Sequence, residues 1–165
     1  MATALKEFTI ALGLLASDPA AVGPQLGLSG YVWHLVDTQH CKHVRGTDCR
    51  LLTTKWDWKR PQIFTVSLRP RQKKGRIELG LDLDNQDRTD TDTVCIMLIA
   101  RNEEGTVLGG GFVSFEVPSQ QRRLEDVSVV IGDNRMPKRL EIGSKQCDET
   151  YKRDRKSALR VLSGS

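Results

Sequence analysis

The sequence predicts a mainly β protein: an antiparallel β-sandwich or jelly-roll-like barrel of about seven strands, with an N-terminal and a C-terminal amphipathic helix. Three observations lead there. The apolar residues fall in short runs with a two-residue period or none. Polar turns separate those runs. No segment between them has the length and 3.6-residue period of the crossover helix that a parallel sheet needs. At 165 residues the chain suits one domain with a real core. It divides into an N-terminal helix and linker (1–30), a sandwich core (31–147) and a basic C-terminal helix or tail (148–165).

Taken in order, Thr3 can cap a helix whose Leu5, Phe8, Leu12 and Leu15 share one face with Ala11 beside them, and Ser17-Asp18-Pro19 stops it. Gly23-Pro24, Gly27 and Ser29-Gly30 read as a linker. From Tyr31 to Val36 the period changes to that of a strand with both faces at least partly covered. Ile63 to Leu68 is a strand fenced by Pro61 and Pro70. Arg76 to Leu83 is the clearest, with Ile77, Leu79, Leu81 and Leu83 on one side and Arg76, Glu78, Gly80 and Asp82 on the other. Thr93 to Ala100 is apolar on both faces and therefore central, followed by a turn at Asn102-Glu103-Glu104-Gly105. Phe112 to Val117, Val127 to Ile131 and a weaker Arg139 to Ile142 complete the set, while Gly109-Gly110-Gly111 reads as a bulge or flexible hairpin. Asp148 can cap a last helix in which Tyr151, Ala158, Leu159 and Leu162 share a side.

Charge is sorted into blocks along this framework. Residues 1–54 carry four basic and four acidic side chains, 55–76 eight and one, 77–131 four and eleven, and 132–165 nine and five. A net charge of +4 thus combines two opposite fields, which suit a chain that binds a polyanion, its own copies, or both. The candidate polyanion-binding residues are Lys55, Trp56, Trp58, Lys59 and Arg60, then Arg69, Arg71, Lys73, Lys74 and Arg76 on a loop between strands, and Lys152, Arg153, Arg155 and Lys156 on the last helix. Crowded cations repel one another until an anion arrives, and Trp56 and Trp58 stand at strand spacing, from which both can stack on unpaired bases.

Two other constellations point elsewhere. Asp82, Asp84, Asp87, Asp90 and Asp92 could hold calcium, yet Asp87 and Thr93 occupy positions where the helix-loop-helix calcium loop has glycine and glutamate. They read as a solvated loop or a docking surface for a neighbour's basic patch. His34, His40 and His43 lie within ten residues, with Cys41 and Cys49 beside them. The run from His40 to Cys49 contains four zinc-compatible ligands, at a spacing that matches no standard zinc module. No glycine turn follows Cys41 to make an oxyanion site. Cys41, Cys49, Cys95 and Cys147 form no disulfide framework by spacing, and Cys95 sits in an apolar run, so reduced thiols in an intracellular, cytoplasmic or virion protein are expected. No apolar stretch approaches the roughly 20 residues that span a bilayer.

These features imply a non-enzymatic viral structural protein of matrix, nucleocapsid-associated or coat type, without cofactor or metal. It would self-assemble as a homo-oligomer and meet RNA, nucleoprotein or an anionic membrane surface through its basic patches. The alternatives are a C2-like or adaptor sandwich binding peptide or lipid, and a small Cys/His zinc protein or enzyme using residues 34–49.

Overall fold

In the computed structural model, which describes Leu28, residues 30–55 and residues 61–163, the alternation of the clearest strand becomes burial. Ile77, Leu79, Leu81 and Leu83 are each 1% exposed, while Glu78 and Asp82 on the other side reach water. Eight strands are present among the described residues: β1 (Val32–Asp37), β2 (Cys49–Lys55), β3 (Gln62–Leu68), β4 (Arg76–Asn85), β5 (Asp92–Arg101), β6 (Val107–Val117), β7 (Arg122–Val130) and β8 (Arg139–Gln146). They form two antiparallel sheets, β1-β8-β5-β6 and β2-β3-β4-β7. The main core lies between them: Val94, Ile96, Leu98, Leu140 and Ile142 from the first sheet meet Phe64, Val66 and the four β4 side chains from the second. Along one side the sheets are joined, because Gly109 bridges to Ile131 and Gly132 N–H donates to Leu108 O at 2.6 Å.

The count of about seven strands becomes eight because β2 hides its period. A bulge between Arg50 and Leu52 shifts the alternation in mid-strand, and Thr53-Thr54-Lys55 adds little apolar character. The three glycines lie inside β6 instead of a flexible hairpin. A Cβ on Gly109 would stand 2.3 Å from Val130 O, and one on Gly110 2.2 Å from Leu98 O, so the close approach of backbones requires glycine. The expected N-terminal helix lies outside the described residues.

A third layer covers the first sheet. Helix α1 (Tyr151–Ser163) packs with Leu28, Tyr31, Trp33, Cys95, Met97, Ile99 and Phe112 into a second apolar cluster. Its inward residues are Asp154, Ala158, Val161 and Leu162; Leu159, 53% exposed, and Tyr151 face outward, which corrects the expected apolar side. A helical wheel ranks residues by hydropathy, and here an aspartate takes the inward place because Lys145 Nζ reaches its carboxylate at 3.1 Å and Thr150 Oγ1 donates to it at 2.9 Å. The Asp148 carboxylate, expected as a cap, accepts from Thr93 N–H at 2.6 Å.

The cysteines correct the reduced-thiol expectation. Cys41 is bonded to Cys49 and Cys95 to Cys147, with Cα separations of 5.6 and 5.8 Å. Tertiary pairing brings together residues 52 positions apart, which spacing alone does not reveal. No helix among the described residues is long and apolar enough to cross a membrane.

Candidate polyanion-binding surface

The basic block 55–76 is one segment of sequence but two places in the molecule. β3 runs through it, and a seven-residue strand is about 20 Å long. Lys55, opposite Ile63, ends β2 at one end of the sheets, whereas Leu68, opposite Cys49, delivers the chain to the other. Lys55 is exposed there; Trp56, Trp58, Lys59 and Arg60 lie outside the described residues.

At the other end, the β3–β4 loop is held by a single amide side chain. Gln72 Nε2 donates to Arg69 O and to Glu78 O, both at 2.8 Å, and Gln72 Oε1 accepts from Glu78 N–H at 2.9 Å. Gly75 then turns the chain at φ 68°, beside Asn134 and Ile131 O, a conformation that favours glycine. This clip leaves Arg71, Lys73 and Lys74 exposed. Lys73 and Arg76 are partly engaged by Glu78, at 3.4 and 4.0 Å, and Arg76 Nε donates to Ser128 Oγ at 2.7 Å. Arg71 and Lys74 make no ion pair among the described residues.

Arg69 belongs elsewhere. Its guanidinium lies across Gly80 and pairs with Asp48 and Asp126. Burial opposes its charge, but the two carboxylates outweigh that and raise its pKa above the ordinary arginine value. It is a strap across the outer face of the second sheet, with its charge met by two carboxylates of the chain itself. Arg122 is likewise raised by its hydrogen bond to Asp82.

The antiparallel topology adds neighbours that the sequence keeps far apart. Ile131 N–H donates to Gly75 O at 2.9 Å and Thr38 N–H to Lys138 O at 2.9 Å, which gathers the 38–48, 69–75 and 131–138 loops at one end. Exposed Lys42 and Arg45 thereby join Arg71 and Lys74. Neither they nor Gln72 stood out in the sequence, since two cations and a glutamine carry no local pattern. On α1, Lys152, Lys156 and Arg160 recur every fourth residue and Arg153 and Arg155 flank them, all exposed; eight residues of helix make this row about 12 Å long. Its last turn reaches the basic end, for Leu162 sits over Gly110, next to the Gly109–Ile131 bridge.

The acidic stretch does not converge. Asp82 faces out and pairs with Arg122. Asp87 is 8% exposed and accepts from Thr89 N–H and Asp90 N–H at 2.8 and 3.0 Å, closing its own loop. Asp92 is fully buried against Gln62 and Gln146. Asp87 and Asp92 organise one end of the fold, and among the described residues the acidic stretch gathers no metal-ligand cluster. Among the described residues, the cluster with metal-ligand character is His40, Cys41 and Cys49; His43 is not part of it.

Two further features bear on ligands. On the side where β1 and β2 are not joined, a groove of about 400 Å³ is lined by Val32, Thr54, Lys55 and Ser144. The fully buried Ser144 hydroxyl has no partner among the described residues. Beneath α1, burial first and the Asp154 charge second push the Tyr31 hydroxyl well above the usual tyrosine range.

No protein-family model matches the chain, and no curated protein matches it. Among solved structures, an arabinose-bound MgGH51 α-L-arabinofuranosidase aligns with 67% of this chain at 7% identity and a TM-score of 0.22. The chain spans 21% of that structure, and a likeness of that size carries no argument about either fold or activity.

Proposed function

We propose that the chain is a non-enzymatic binding and assembly protein of the viral matrix, nucleocapsid-associated or coat type, which engages a polyanion through the β3–β4 loop. One observation carries the reading: Arg71 and Lys74 are exposed without ion pairs among the described residues, on a loop that three Gln72 hydrogen bonds hold in place. Cations presented on an ordered loop bind phosphate without a large ordering cost. Lys42 and Arg45 widen this surface, and the Lys152-Lys156-Arg160 row supplies a second one. RNA, nucleoprotein and an anionic membrane share the chemistry that such a surface recognises. The two disulfides favour a setting in which they persist, such as a particle outside the reducing cytosol. Cys41, the nucleophile of the enzyme alternative, has its sulfur committed to Cys49.

The test is sedimentation with homopolymeric RNA, and separately with anionic lipid vesicles, across a salt series. Binding to one of them should weaken steeply with salt, and the double variant Arg71→Glu/Lys74→Glu should lose it while its circular dichroism stays native. Full retention by that variant at low salt would refute the assignment to this loop. A second reading, a peptide- or lipid-binding sandwich, is favoured by the groove beside Ser144. It predicts salt-insensitive binding that the double variant keeps.

A further inference from the structure

We propose that the Cys41–Cys49 bridge is the oxidised form of a metal site, and that after reduction His40, Cys41 and Cys49 bind one zinc-type divalent cation. The ligand atoms of the three residues lie within 4.8 Å of one another. His40 Nε2 stands 3.5 Å from Cys41 Sγ. Two thiolates and one imidazole are a ligand set that zinc accepts, with a water molecule completing the tetrahedron. Two sulfurs on one such ion stand about 3.8 Å apart, as bonds of about 2.3 Å require, and the 5.6 Å between Cα atoms lets side-chain rotation open them to that distance.

The loop keeps its shape by means other than the disulfide. Thr38 Oγ1 donates to Pro137 O at 2.6 Å and Thr38 N–H to Lys138 O. Gln39 N–H donates to Asp37 Oδ1 at 2.8 Å, and the 3-10 turn Gln39–His43 sets His40 and Cys41 side by side. Gly46, at φ 76°, turns the chain back, and Arg69 holds Asp48 next to Cys49. The ligands are therefore positioned before any ion arrives. Cys41 and Cys49 are 6% and 7% exposed, but every residue of the short loop between them, from Lys42 to Asp48, is exposed, so local opening of this loop admits a reductant. The second bridge, Cys95–Cys147, is 0% and 2% exposed beneath α1 and has no imidazole in the corresponding cluster.

The chemistry balances with a dithiol as reductant. It delivers two electrons and two protons to the Cys41–Cys49 bond, giving two thiols and becoming a disulfide itself. The cation then displaces the two thiol protons to solvent. His40 exchanges its 3.1 Å contact with Arg50 O for the metal, and that exposed carbonyl turns to water.

Co²⁺ titration of the full chain, with alkylation and mass mapping to identify the free thiols, tests the site. Once Cys41 and Cys49 are free, one Co²⁺ per chain should bind with a thiolate-to-cobalt charge-transfer band that the oxidised protein lacks. Cys41→Ser/Cys49→Ser treated with the same dithiol should show no band, His40→Ala should bind at least tenfold more weakly, and His43→Ala should match the parent chain. Circular dichroism reports that each variant is folded. No band from the reduced, folded chain, a band in the double-serine variant, or full affinity in His40→Ala would each overturn the proposal.

Discussion

The outer faces of the two sheets are built from the same backbone and end in opposite environments. On the first sheet, Trp33, Cys95, Met97, Ile99 and Phe112 point outward, and α1 covers them. On the second, the outward row holds Thr53, Thr65, Ser67, Glu78, Asp82, Arg122, Asp126 and Ser128, with hydroxyl and ion pairs between strands. The difference separates stability from display. Apolar outward residues recruit a covering helix and gain burial energy, whereas exposed ion pairs contribute little and leave their face wet.

Substitutions on each face should therefore differ in cost. Asp154→Ala should be the most damaging, because it removes the buried carboxylate that Lys145 Nζ and Thr150 Oγ1 both reach beneath the helix. A loss of about 3 kcal/mol is expected from chemical denaturation, and a change below a few tenths would mean that the pair does not anchor α1. Gly110→Ala should cost about 2 kcal/mol by overpacking, since its Cβ would stand 2.2 Å from Leu98 O and 2.5 Å from Leu162 Cδ2. Amide exchange should rise in α1 and β6 together. On the wet face, Arg69→Ala removes the half-exposed guanidinium that Asp48 and Asp126 share and should cost less than about 1 kcal/mol, with the loss shrinking in high salt.

His34 offers the smallest and most specific measurement. Burial lowers its pKa, so the fold prefers the neutral ring. Its contribution is complete above the ordinary histidine value of about 6.5 and is lost as pH falls through the lowered folded value. His34→Gln should flatten the stability profile below that pH, and an unchanged profile would exclude His34 as the source.

Much of the sandwich was legible in single segments. β4 announced one wet face by strict alternation, and β5 announced two buried faces by being apolar throughout, which is what a central strand under a helix needs. β2 was not legible, because a bulge reset its period, and neither was the inward place of Asp154, because its partner Lys145 comes from β8. The candidate site fared similarly. Arg71 and Lys74 were found from charge density, but Arg69 was indistinguishable from them until Asp48 arrived beside it from a loop and Asp126 from β7.

By itself the sequence determined where the last helix and every strand but β2 form, which strand is central, and which segments are strongly charged. Those properties depend on neighbours a few positions away. Tertiary structure alone decided the pairing of the four cysteines, the division of the basic block between two ends of the sheets, the burial of Asp154 and the clustering of His40 with Cys41 and Cys49. Each of these is a distance between residues brought together by strand order, and strand order follows from how two apolar faces close on one another, which no local pattern encodes.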